Sequence, residues 1–589
     1  MHLYKGKIIR VDLTRRLASV EAVPEAWLRE YWGGWGLAAK YFYELTDPAE
    51  PALSPNTPIA IFTGPFAGTL APTSARLCLV SKSPHTGTIF QSNTGGAFGP
   101  ELKMAGYDGL VITGRSDKWV YLRIIDDRVT LEDANFLTGR GSLETEERLL
   151  EAVGDQSAKT LTIGPAGENM ITFSCINTEA FRQMGRGGAG ALFGSKRLKG
   201  IVCLGSGSVS VADMDRFRER VDHHKKTSLM TIDNLWAKID GTAESIESSN
   251  EMGIHPTRNY TYGVNENRRS IDAEAIRAAK LGDRACTSCP LACGKFTRAN
   301  GSEVEGPEYE TLTLAGSNCE INDLEAIIRF NRMCDDLGLD TMTTGNVIAL
   351  AMDMTEQGFH DFNLGFGDVE NYLAVVEEIA RRSTDRGKDL ALGSKRLAEK
   401  YGAQDLTTEV KGLEFPGFEP RGNYGIALAY ATSERGACHM RSLPLAVDDP
   451  FDLDALPARV AADQNLAAIK WSMCFCDFWG TLDTEIMADL LSVGLGREVT
   501  PEELTRSGER IWNLTRLYNL RAGFTSADDS LPAKLQKQGL KKGPHESRTL
   551  PLADFQHMLA KYYEARGWDK NGRPRPEKLE SLGLKEAGR

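Results

Sequence analysis

The sequence lacks the features that would place a protein in a membrane, on nucleic acid or outside the cell. No apolar run approaches the roughly 20 residues of a membrane span, and the segment from Met1 to Arg10 has no signal-peptide core. The 69 Lys and Arg are outnumbered by 81 Asp and Glu and form no basic run of the kind that binds phosphate backbones. We therefore expect a cytoplasmic protein with no membrane span and no nucleic-acid partner.

Cysteine is also scarce. The 11 cysteines in 589 residues are odd in number and thinly spread, which does not resemble a secreted disulfide framework. Hydrophobic residues make up 41% and charged residues 25% of the chain, an ordinary balance for a globular protein. At roughly 150 residues per domain the length suggests about four domains, and two or three larger ones would be as ordinary.

The predicted secondary structure changes near residue 208. Before it, β-branched runs such as 58–63, 76–80 and 109–113 alternate with turn residues, and a last strand is predicted near 201–204. From about Asp213 onward helical periodicity prevails. The sequence therefore predicts an α+β multidomain fold. Its predicted parts are a β-rich N-terminal domain (1–208) and two mainly α-helical domains (209–408 and 409–589).

The clearest helix is predicted over 322–338. Apolar residues recur near one face from Leu324 to Leu337, and Asn322 or Asp323 is placed to cap the N-terminus. Gly338 suits the left-handed conformation that ends many helices. Further helices are predicted near 370–402 and 501–521.

The most specific local motif is Cys286-Thr-Ser-Cys289-Pro-Leu-Ala-Cys293-Gly294, whose spacing can place three thiolates around one metal centre. A zinc site is one interpretation. The flanking Pro and Gly favour an iron–sulfur cluster, because they allow tight backbone wrapping and amide hydrogen bonds to sulfur. A fourth thiolate is then needed, and spacing does not choose between Cys474 and Cys476.

Four glycine-rich loops lie in the β region. Each alone is typical of a plain turn. Together, with arginines and Asn93 nearby, they favour a surface that holds a large anionic cofactor. None has the Gly-Lys-Ser/Thr of a phosphate-binding P-loop or the strand–loop–helix context of a dinucleotide site. The loops are Thr63-Gly-Pro-Phe-Ala-Gly68, Ser92-Asn-Thr-Gly-Gly-Ala-Phe-Gly99, Gly164-Pro-Ala-Gly-Glu-Asn169 and Gly185-Arg-Gly-Gly-Ala-Gly190.

Two further segments, Glu305-Gly-Pro-Glu308-Tyr309-Glu310 and Arg435-Gly-Ala-Cys438-His439, supply a carboxylate and an imidazole. Such a pair can move protons at a carbonyl group. Each segment alone is more typical of a structural role.

Across essentially its whole length the chain resembles the tungsten-dependent aldehyde:ferredoxin oxidoreductases. The resemblance rests on many matches in the same order, including Thr63-Gly-Pro65, Lys82-Ser-Pro84-His-Thr-Gly87, Glu101-Leu-Lys-Met-Ala-Gly-Tyr-Asp108, Gly164-Pro-Ala-Gly-Glu-Asn169, Gly185-Arg-Gly-Gly188, Glu305-Gly-Pro-Glu-Tyr-Glu310 and Asp335-Asp-Leu-Gly-Leu-Asp340.

The resemblance implies a tungsten or molybdenum bis-pterin cofactor beside a [4Fe–4S] cluster, with Mg²⁺ bridging the pterin phosphates as a further candidate. The sequence does not choose between tungsten and molybdenum, because cofactor sulfur holds the metal. Carried over by position, the pterin contacts are Arg76, Asn93, Gly95, Arg182, Gln183, Gly185, Arg186, Asp335, Leu339 and Asp340. The cluster ligands are Cys286, Cys289, Cys293 and Cys476, and the proton-handling residues are Glu310 and His439.

The implied reaction is RCHO + H2O → RCOOH + 2H⁺ + 2e⁻, with electrons passing to ferredoxin or an iron–sulfur partner subunit. One alternative is a catalytic subunit like that of benzoyl-CoA reductase, in the same superfamily. The resemblance implies that this subfamily lacks the Glu310 and His439 matches, so their presence favours aldehyde chemistry. A second alternative is an iron–sulfur electron-transfer subunit without pterin.

Three features of the sequence depart from the family pattern. Trp471 stands where the second pterin motif, Asp-x-x-Gly-Leu-Cys, begins with a carboxylate. Gln183 replaces a small residue. Arg329 and Arg332 replace the Glu-x-x-His that holds a metal between subunits of the homodimeric members, and cations cannot ligate a metal. We therefore expect no such bridging metal.

Overall fold

A computed structural model of the chain describes residues 1–299, 301–585 and 587. Its N-terminal part contains twelve strands in two mixed sheets of six. In chain order they are β1 (Lys7–Asp12), β2 (Leu17–Ala22), β3 (Ile59–Thr63), β4 (Leu77–Lys82), β5 (Ile89–Thr94), β6 (Gly109–Thr113), β7 (Val120–Ile125), β8 (Arg128–Asp133), β9 (Lys159–Thr162), β10 (Ile176–Thr178), β11 (Arg182–Met184) and β12 (Leu198–Leu204).

The first sheet has the order β2-β1-β6-β3-β4-β5 and the second β11-β10-β9-β12-β7-β8. The inner strands β3 and β4 are almost continuously buried, because both faces of this part of the sheet are covered. Apolar side chains from both sheets form one core cluster that includes Ile61, Leu79 and Ile201. The predicted strands near 58–63, 76–80, 109–113 and 201–204 are confirmed.

The rest of the described chain is mainly helical, which confirms the predicted fold class. It also carries β13 (Lys280–Arg284), β14 (Gly294–Ala299), β15 (Ser302–Glu305) and the pair β16 (Glu409–Val410) and β17 (Leu413–Glu414). No helix of the described residues is long and apolar enough to cross a membrane.

The α-helices span Glu25–Tyr31, Gly34–Leu45, Phe98–Met104, Ser142–Val153, Pro165–Glu168, Ala189–Ser195, Met214–His224, Ile232–Ile239, Ser245–Glu251, Ala273–Ala279, Tyr309–Thr311, Leu324–Leu337, Thr341–Glu356, Val369–Arg381, Asp385–Leu390, Ser394–Tyr401, Tyr424–Thr432, Leu456–Ser472, Thr484–Leu495, Pro501–Arg521, Ala533–Lys537, Leu552–Arg566 and Pro576–Ser581.

The helix predicted over 322–338 runs over Leu324–Leu337. Asp323 is its N-cap and accepts hydrogen bonds from the backbone N–H groups of Glu325 and Ala326, while Gly338 ends it at φ 78°. The chain then turns at once into the helix Thr341–Glu356, capped by Asp340. Because Asp323 and Gly338 are local caps, the sequence alone predicts where the first of these helices begins and ends.

A close contact between two segments far apart in the sequence brings the C-terminal part of the chain against the first sheet. The glycine-rich start of helix Gly34–Leu45 meets the end of helix Leu456–Ser472, where the Gly36 N–H donates to Ser472 Oγ at 3.0 Å. A Cβ added at Gly33 would lie 2.7 Å from the Thr63 carbonyl oxygen and 3.0 Å from that of Ser472. This packing places the loop after Ser472 beside the segment that leads into β4.

Candidate active site

A cavity of about 830 Å³ lies where the first sheet, the cysteine loop and the helical part of the chain meet. All residues that the family resemblance assigns to cofactor, cluster and catalysis line it. They are Arg76, Asn93, Gly95, Arg182, Gln183, Gly185, Arg186, Cys286, Cys289, Cys293, Glu310, Asp335, Leu339, Asp340, His439 and Cys476. Segments nearly 400 residues apart therefore form one continuous wall.

The cysteine loop is held to the end of β5 by backbone contacts. The Thr287 N–H donates to the Gly96 carbonyl at 3.2 Å, and the Cys289 N–H donates to the Cys286 carbonyl at 3.1 Å. A Cβ added at Gly95 would lie 2.7 Å from Cys286 Sγ. A side chain at position 95 would therefore displace this thiol from its place beside the sheet.

Cys476 reaches the same cavity from the other side. Its N–H donates to the Thr73 carbonyl at 3.0 Å, and Arg76 Nη2 donates to its sulfur at 3.1 Å. Cys474 is fully buried elsewhere, with its sulfur 3.9 Å from the Phe62 carbonyl oxygen. Of the two candidates that spacing leaves open, only Cys476 lies with Cys286, Cys289 and Cys293 along the cavity wall.

Two arginines lie beside these sulfurs. Arg182 forms an ion pair with Glu305 and lies close to a Cβ position at Gly95. Burial raises the pKa of Glu305 to about 7, with Arg182 opposing the shift and Glu308 adding to it. The site therefore contains a carboxylate, Glu305, that the sequence analysis does not single out.

Arg186 is held in a buried polar network under the other end of the cavity. Its Nε lies 3.3 Å from Asp340 Oδ2, and its Nη2 donates to the Glu414 carbonyl at 2.7 Å. Glu414 in turn contacts His85 Nε2 at 3.1 Å. His85, the Ser394 N–H and Arg186 outweigh burial and lower the pKa of Glu414 to about 2. Arg186 Nη1 also donates to the Ala437 carbonyl at 3.1 Å, so acceptors on three segments fix the guanidinium group.

Asp335 faces the cavity from the end of helix Leu324–Leu337. Its carboxylate accepts hydrogen bonds from Gln183 Nε2 and, at 3.2 Å, from Asn331 Nδ2. Burial raises the pKa of this carboxyl well above its ordinary value. The Gln183 side chain therefore joins β11 to the end of this helix.

Glu310 and His439 meet inside the cavity, with Oε1 of the carboxylate 3.3 Å from Nδ1 of the imidazole. The other carboxylate oxygen accepts a hydrogen bond from the Gly417 N–H at 2.7 Å. Phe418 packs against the imidazole with ring centroids 5.7 Å apart. Each of the two side chains exposes less than a fifth of its surface, and that surface faces the cavity.

The two groups have opposite pKa shifts. Burial raises the pKa of Glu310 to about 7, although the Gly417 N–H and Arg186 oppose the shift. Burial, with the positive charges of Arg186, Arg435 and Arg441, lowers the pKa of His439 to about 3. Near neutral pH the imidazole is therefore uncharged, and the carboxyl group is poised between its acid and its base.

Several buried polar atoms at the cavity have no hydrogen-bond partner among the described residues. They include Arg76 Nε, Asn93 Nδ2, Arg441 Nη1 and Asp477 Oδ2. Buried donors and acceptors are rarely left unpaired. The size of the cavity and these unpaired atoms fit a large group that carries both donors and acceptors, as a pterin does.

Comparison of the sequence with models of known protein families identifies the family of this chain. The N-terminal domain of aldehyde ferredoxin oxidoreductases matches residues 8–205, and their domains 2 and 3 match residues 219–584. The chain belongs to the aldehyde ferredoxin oxidoreductase family. The predicted resemblance is confirmed.

Relatives and a solved structure agree with this membership. The chain is 39% identical to the tungsten-containing aldehyde ferredoxin oxidoreductase of Pyrococcus furiosus and 37% identical to that of Thermococcus kodakarensis, and each match covers 99% of both chains. The active-site complex of benzoyl coenzyme A reductase superposes with a TM-score of 0.87 over 100% of this chain and 98% of its own, at 22% identity. That similarity shows a shared fold.

The glycine-rich loops of this family member divide into two kinds. The loops 92–99 and 185–190 contribute residues to the wall of the cavity. The loops 63–68 and 164–169, all of whose residues the structure describes, contribute none. A Cβ added at Gly164 would lie 2.5 Å from the Leu337 carbonyl carbon, and one at Gly185 would meet nothing within 4 Å. The expectation that all four loops hold a cofactor is therefore wrong for two, whose glycines serve close packing.

Cys438, the residue before His439, also takes part in the polar contacts of the site. Its side chain is buried, and its sulfur accepts a hydrogen bond from Arg435 Nη2 at 3.0 Å. Arg435 and Arg441 lower the pKa of this thiol although burial opposes them. Cys438 therefore belongs to the charged layer behind His439, and no spacing signal in the sequence marks it.

Proposed function

We propose that the protein oxidises aldehydes to carboxylic acids with water and transfers the electrons through a [4Fe–4S] cluster to ferredoxin or an iron–sulfur partner subunit. The observation that carries this proposal is the buried Glu310–His439 pair in the wall of the cavity. A carboxyl group poised near neutrality beside an uncharged imidazole suits proton transfer at a carbonyl carbon. The name of these relatives, tungsten-containing aldehyde ferredoxin oxidoreductase, supports the same substrate and acceptor.

The described residues fit the cofactors of this family. Cys286, Cys289, Cys293 and Cys476 would hold the cluster, and three cysteines in one loop with one distant cysteine are a common way to ligate [4Fe–4S]. The pterin contacts would come from Arg76, Asn93, Gly95, Arg182, Gln183, Gly185, Arg186, Asp335, Leu339 and Asp340. When bound, the tungsten or molybdenum centre accepts the electron pair and the cluster passes single electrons outward.

The chain's own residues would do the proton chemistry. Glu310 in its carboxylate form takes a proton from the attacking water, while the Gly417 N–H keeps the second oxygen in place. His439 cannot take up a proton readily, because three arginines and burial oppose its charged form. Once Glu310 has taken up the proton it can donate to Nδ1 of the neutral ring, whose single N–H then lies on Nε2. That N–H serves as a hydrogen-bond donor to the substrate oxygen, where negative charge develops.

The loop that carries the first cysteines lies near the surface. Thr287 and Ser288 are exposed and flank partly exposed Cys286 and Cys289. A cluster held there would be close to the solvent side of the protein, where an external electron carrier can approach.

Arg329 is exposed, and the Arg332 guanidinium lies over the Phe181 ring at 5.5 Å. We propose no metal bridge between subunits at these positions.

Elemental and activity analysis of anaerobically purified protein tests the proposal. We expect one tungsten or molybdenum and about four iron per chain, with reduction of an artificial acceptor by at least one member of a panel of aldehydes. Iron without either heavy metal, from a host that makes the cofactor, would contradict the proposal and favour a pterin-free electron-transfer subunit. Full metal content with dienoyl-CoA or benzoyl-CoA turnover and no aldehyde turnover would favour the benzoyl-CoA reductase alternative.

A further inference from the structure

Asp477 is a carboxylate in the cavity wall to which the sequence motifs assign no role. It follows Cys476 directly and lines the cavity. One oxygen, Oδ1, accepts a hydrogen bond from the Trp471 indole N–H at 2.7 Å. The other, Oδ2, is buried and has no hydrogen-bond partner in the described chain. No ion pair joins Asp477 to any described basic side chain.

Trp471 is fixed tightly enough to orient this carboxylate. It is 3% exposed and lies in the last turn of helix Leu456–Ser472. The Arg441 guanidinium lies over its ring at 4.9 Å. Because the indole nitrogen has one direction in which to donate, Oδ1 is fixed and Oδ2 is left facing other groups.

An unpaired acceptor of this kind is costly to bury, and more so when it is charged. Beside it lies an unpaired donor, because Arg76 Nε also has no partner within the described residues. Arg76 Nη2 donates at 3.1 Å to the sulfur of Cys476, the residue before Asp477. The same wall of the cavity thus offers one unpaired acceptor and one unpaired donor, which matches the N–H and ring-nitrogen edge of a pterin.

We propose that Asp477 Oδ2 accepts a hydrogen bond from an N–H donor of the second pterin, with Trp471 as the positioning residue that aims it. The pair would replace the carboxylate that the family motif carries at position 471. This inference rests on the proposed function, because it requires the bis-pterin cofactor. A water molecule at Oδ2 is the competing explanation.

Asp477→Asn is the sharpest test. The amide keeps the size of the carboxylate but has only one acceptor oxygen, so it leaves a donor facing a donor at either Trp471 or the pterin. Trp471→Phe removes the indole N–H and keeps a ring over Arg441. Asp215→Asn, at an exposed position in the helix Met214–His224, controls for the loss of one negative charge.

Pterin, tungsten and iron per chain are measured on each anaerobically purified holoenzyme, with the rate of pterin release in mild denaturant. We expect Asp477→Asn to release pterin about tenfold faster, in line with the loss of one charged hydrogen bond, with iron unchanged. Trp471→Phe should show a smaller increase in release rate, and Asp215→Asn none. If Asp477→Asn does not fold, the Trp471→Phe release rate alone decides.

Release rates equal to those of the parent would overturn the inference and favour a bound water. Parallel loss of iron and pterin would also overturn it, because the substitution would then act by displacing Cys476. A parent enzyme that contains no pterin would instead overturn the proposed function itself. The two failures are therefore distinguishable.

Discussion

Replacing Glu310 by Gln removes the acid–base group and leaves its surroundings intact. The amide oxygen can still accept the hydrogen bond from the Gly417 N–H, which the carboxylate receives at 2.7 Å. The amide cannot take a proton from water, so the positioned base is lost. General acid–base catalysis contributes about 10²–10⁴-fold, and we expect turnover of a reactive aldehyde to fall within that range. Metal and cluster content should be unchanged.

The pH dependence gives the same prediction a second measurement. Burial raises the pKa of Glu310 to about 7, so kcat/KM of the parent should rise with pH and level off above about 7. His439, whose pKa is lowered to about 3, stays neutral and adds no second limb between pH 5 and 9. Glu310→Gln should give a flat profile. An inflection near pH 7 that persists in the variant would refute the assignment, as would unchanged turnover.

Stability should respond in a definite direction. Because the folded-state pKa is raised from 4.5 to about 7, the folded protein holds this proton more tightly than the unfolded chain. That contribution is present below pH 4.5 and is lost as the pH rises through about 7, at a cost of about 3 kcal/mol. Glu310→Gln avoids the loss and should melt higher than the parent above pH 7, with a difference that shrinks toward pH 4.5.

Glu409→Gln is a matched control. Glu409 is a carboxylate whose pKa burial also raises and which accepts a hydrogen bond from a glycine N–H, that of Gly412 at 2.6 Å. It does not line the cavity. Its substitution should leave turnover and the pH profile unchanged, which separates the effect of the site from that of removing any buried carboxylate.

Two further predictions concern the cluster. Cys476→Ala should lower iron per chain and bleach the visible absorption of the cluster, whereas Cys474→Ala should keep both; the reverse pattern would show that the fourth ligand is misassigned. Gly95→Ala should also lower iron per chain, because the new Cβ would lie 2.7 Å from Cys286 Sγ. Gly282→Ala is the control and should keep its iron, because the new Cβ would meet nothing within 4 Å. Equal iron content in the parent, Gly95→Ala and Gly282→Ala would show that the cysteine loop moves freely away from the sheet.

The choice between Cys474 and Cys476 shows where sequence reasoning stops. Two residues apart, the side chains could both face one site or opposite sides, depending on the backbone between them. In the structure Cys474 has φ 59°, a conformation that side chains rarely adopt, and this turn directs its sulfur into the core. No residue type in Trp471-Ser-Met-Cys474-Phe475-Cys476 announces that turn, so spacing alone could not find it.

The glycines show a second limit of the same kind. Gly95 and Gly164 sit in similar loops, yet one leaves room for a thiol and the other for the backbone at Leu337. Composition indicates that a backbone must approach something closely, but what it approaches comes from parts of the chain far away in sequence. By contrast, the helix Leu324–Leu337 is predicted to within two residues at each end, because its caps, Asp323 and Gly338, are local.

Backbone hydrogen bonds anchor the two segments that carry the cysteines of the cavity. Cys476 is tied through its N–H to the Thr73 carbonyl, and the first cysteine loop is tied through the Thr287 N–H to the Gly96 carbonyl. Both anchors belong to segments that flank β4 and β5 of one sheet. Backbone hydrogen bonds to the segments beside one strand pair therefore place the two loops that carry Cys286 and Cys476. This shared anchoring explains how cysteines from distant parts of the chain line one cavity.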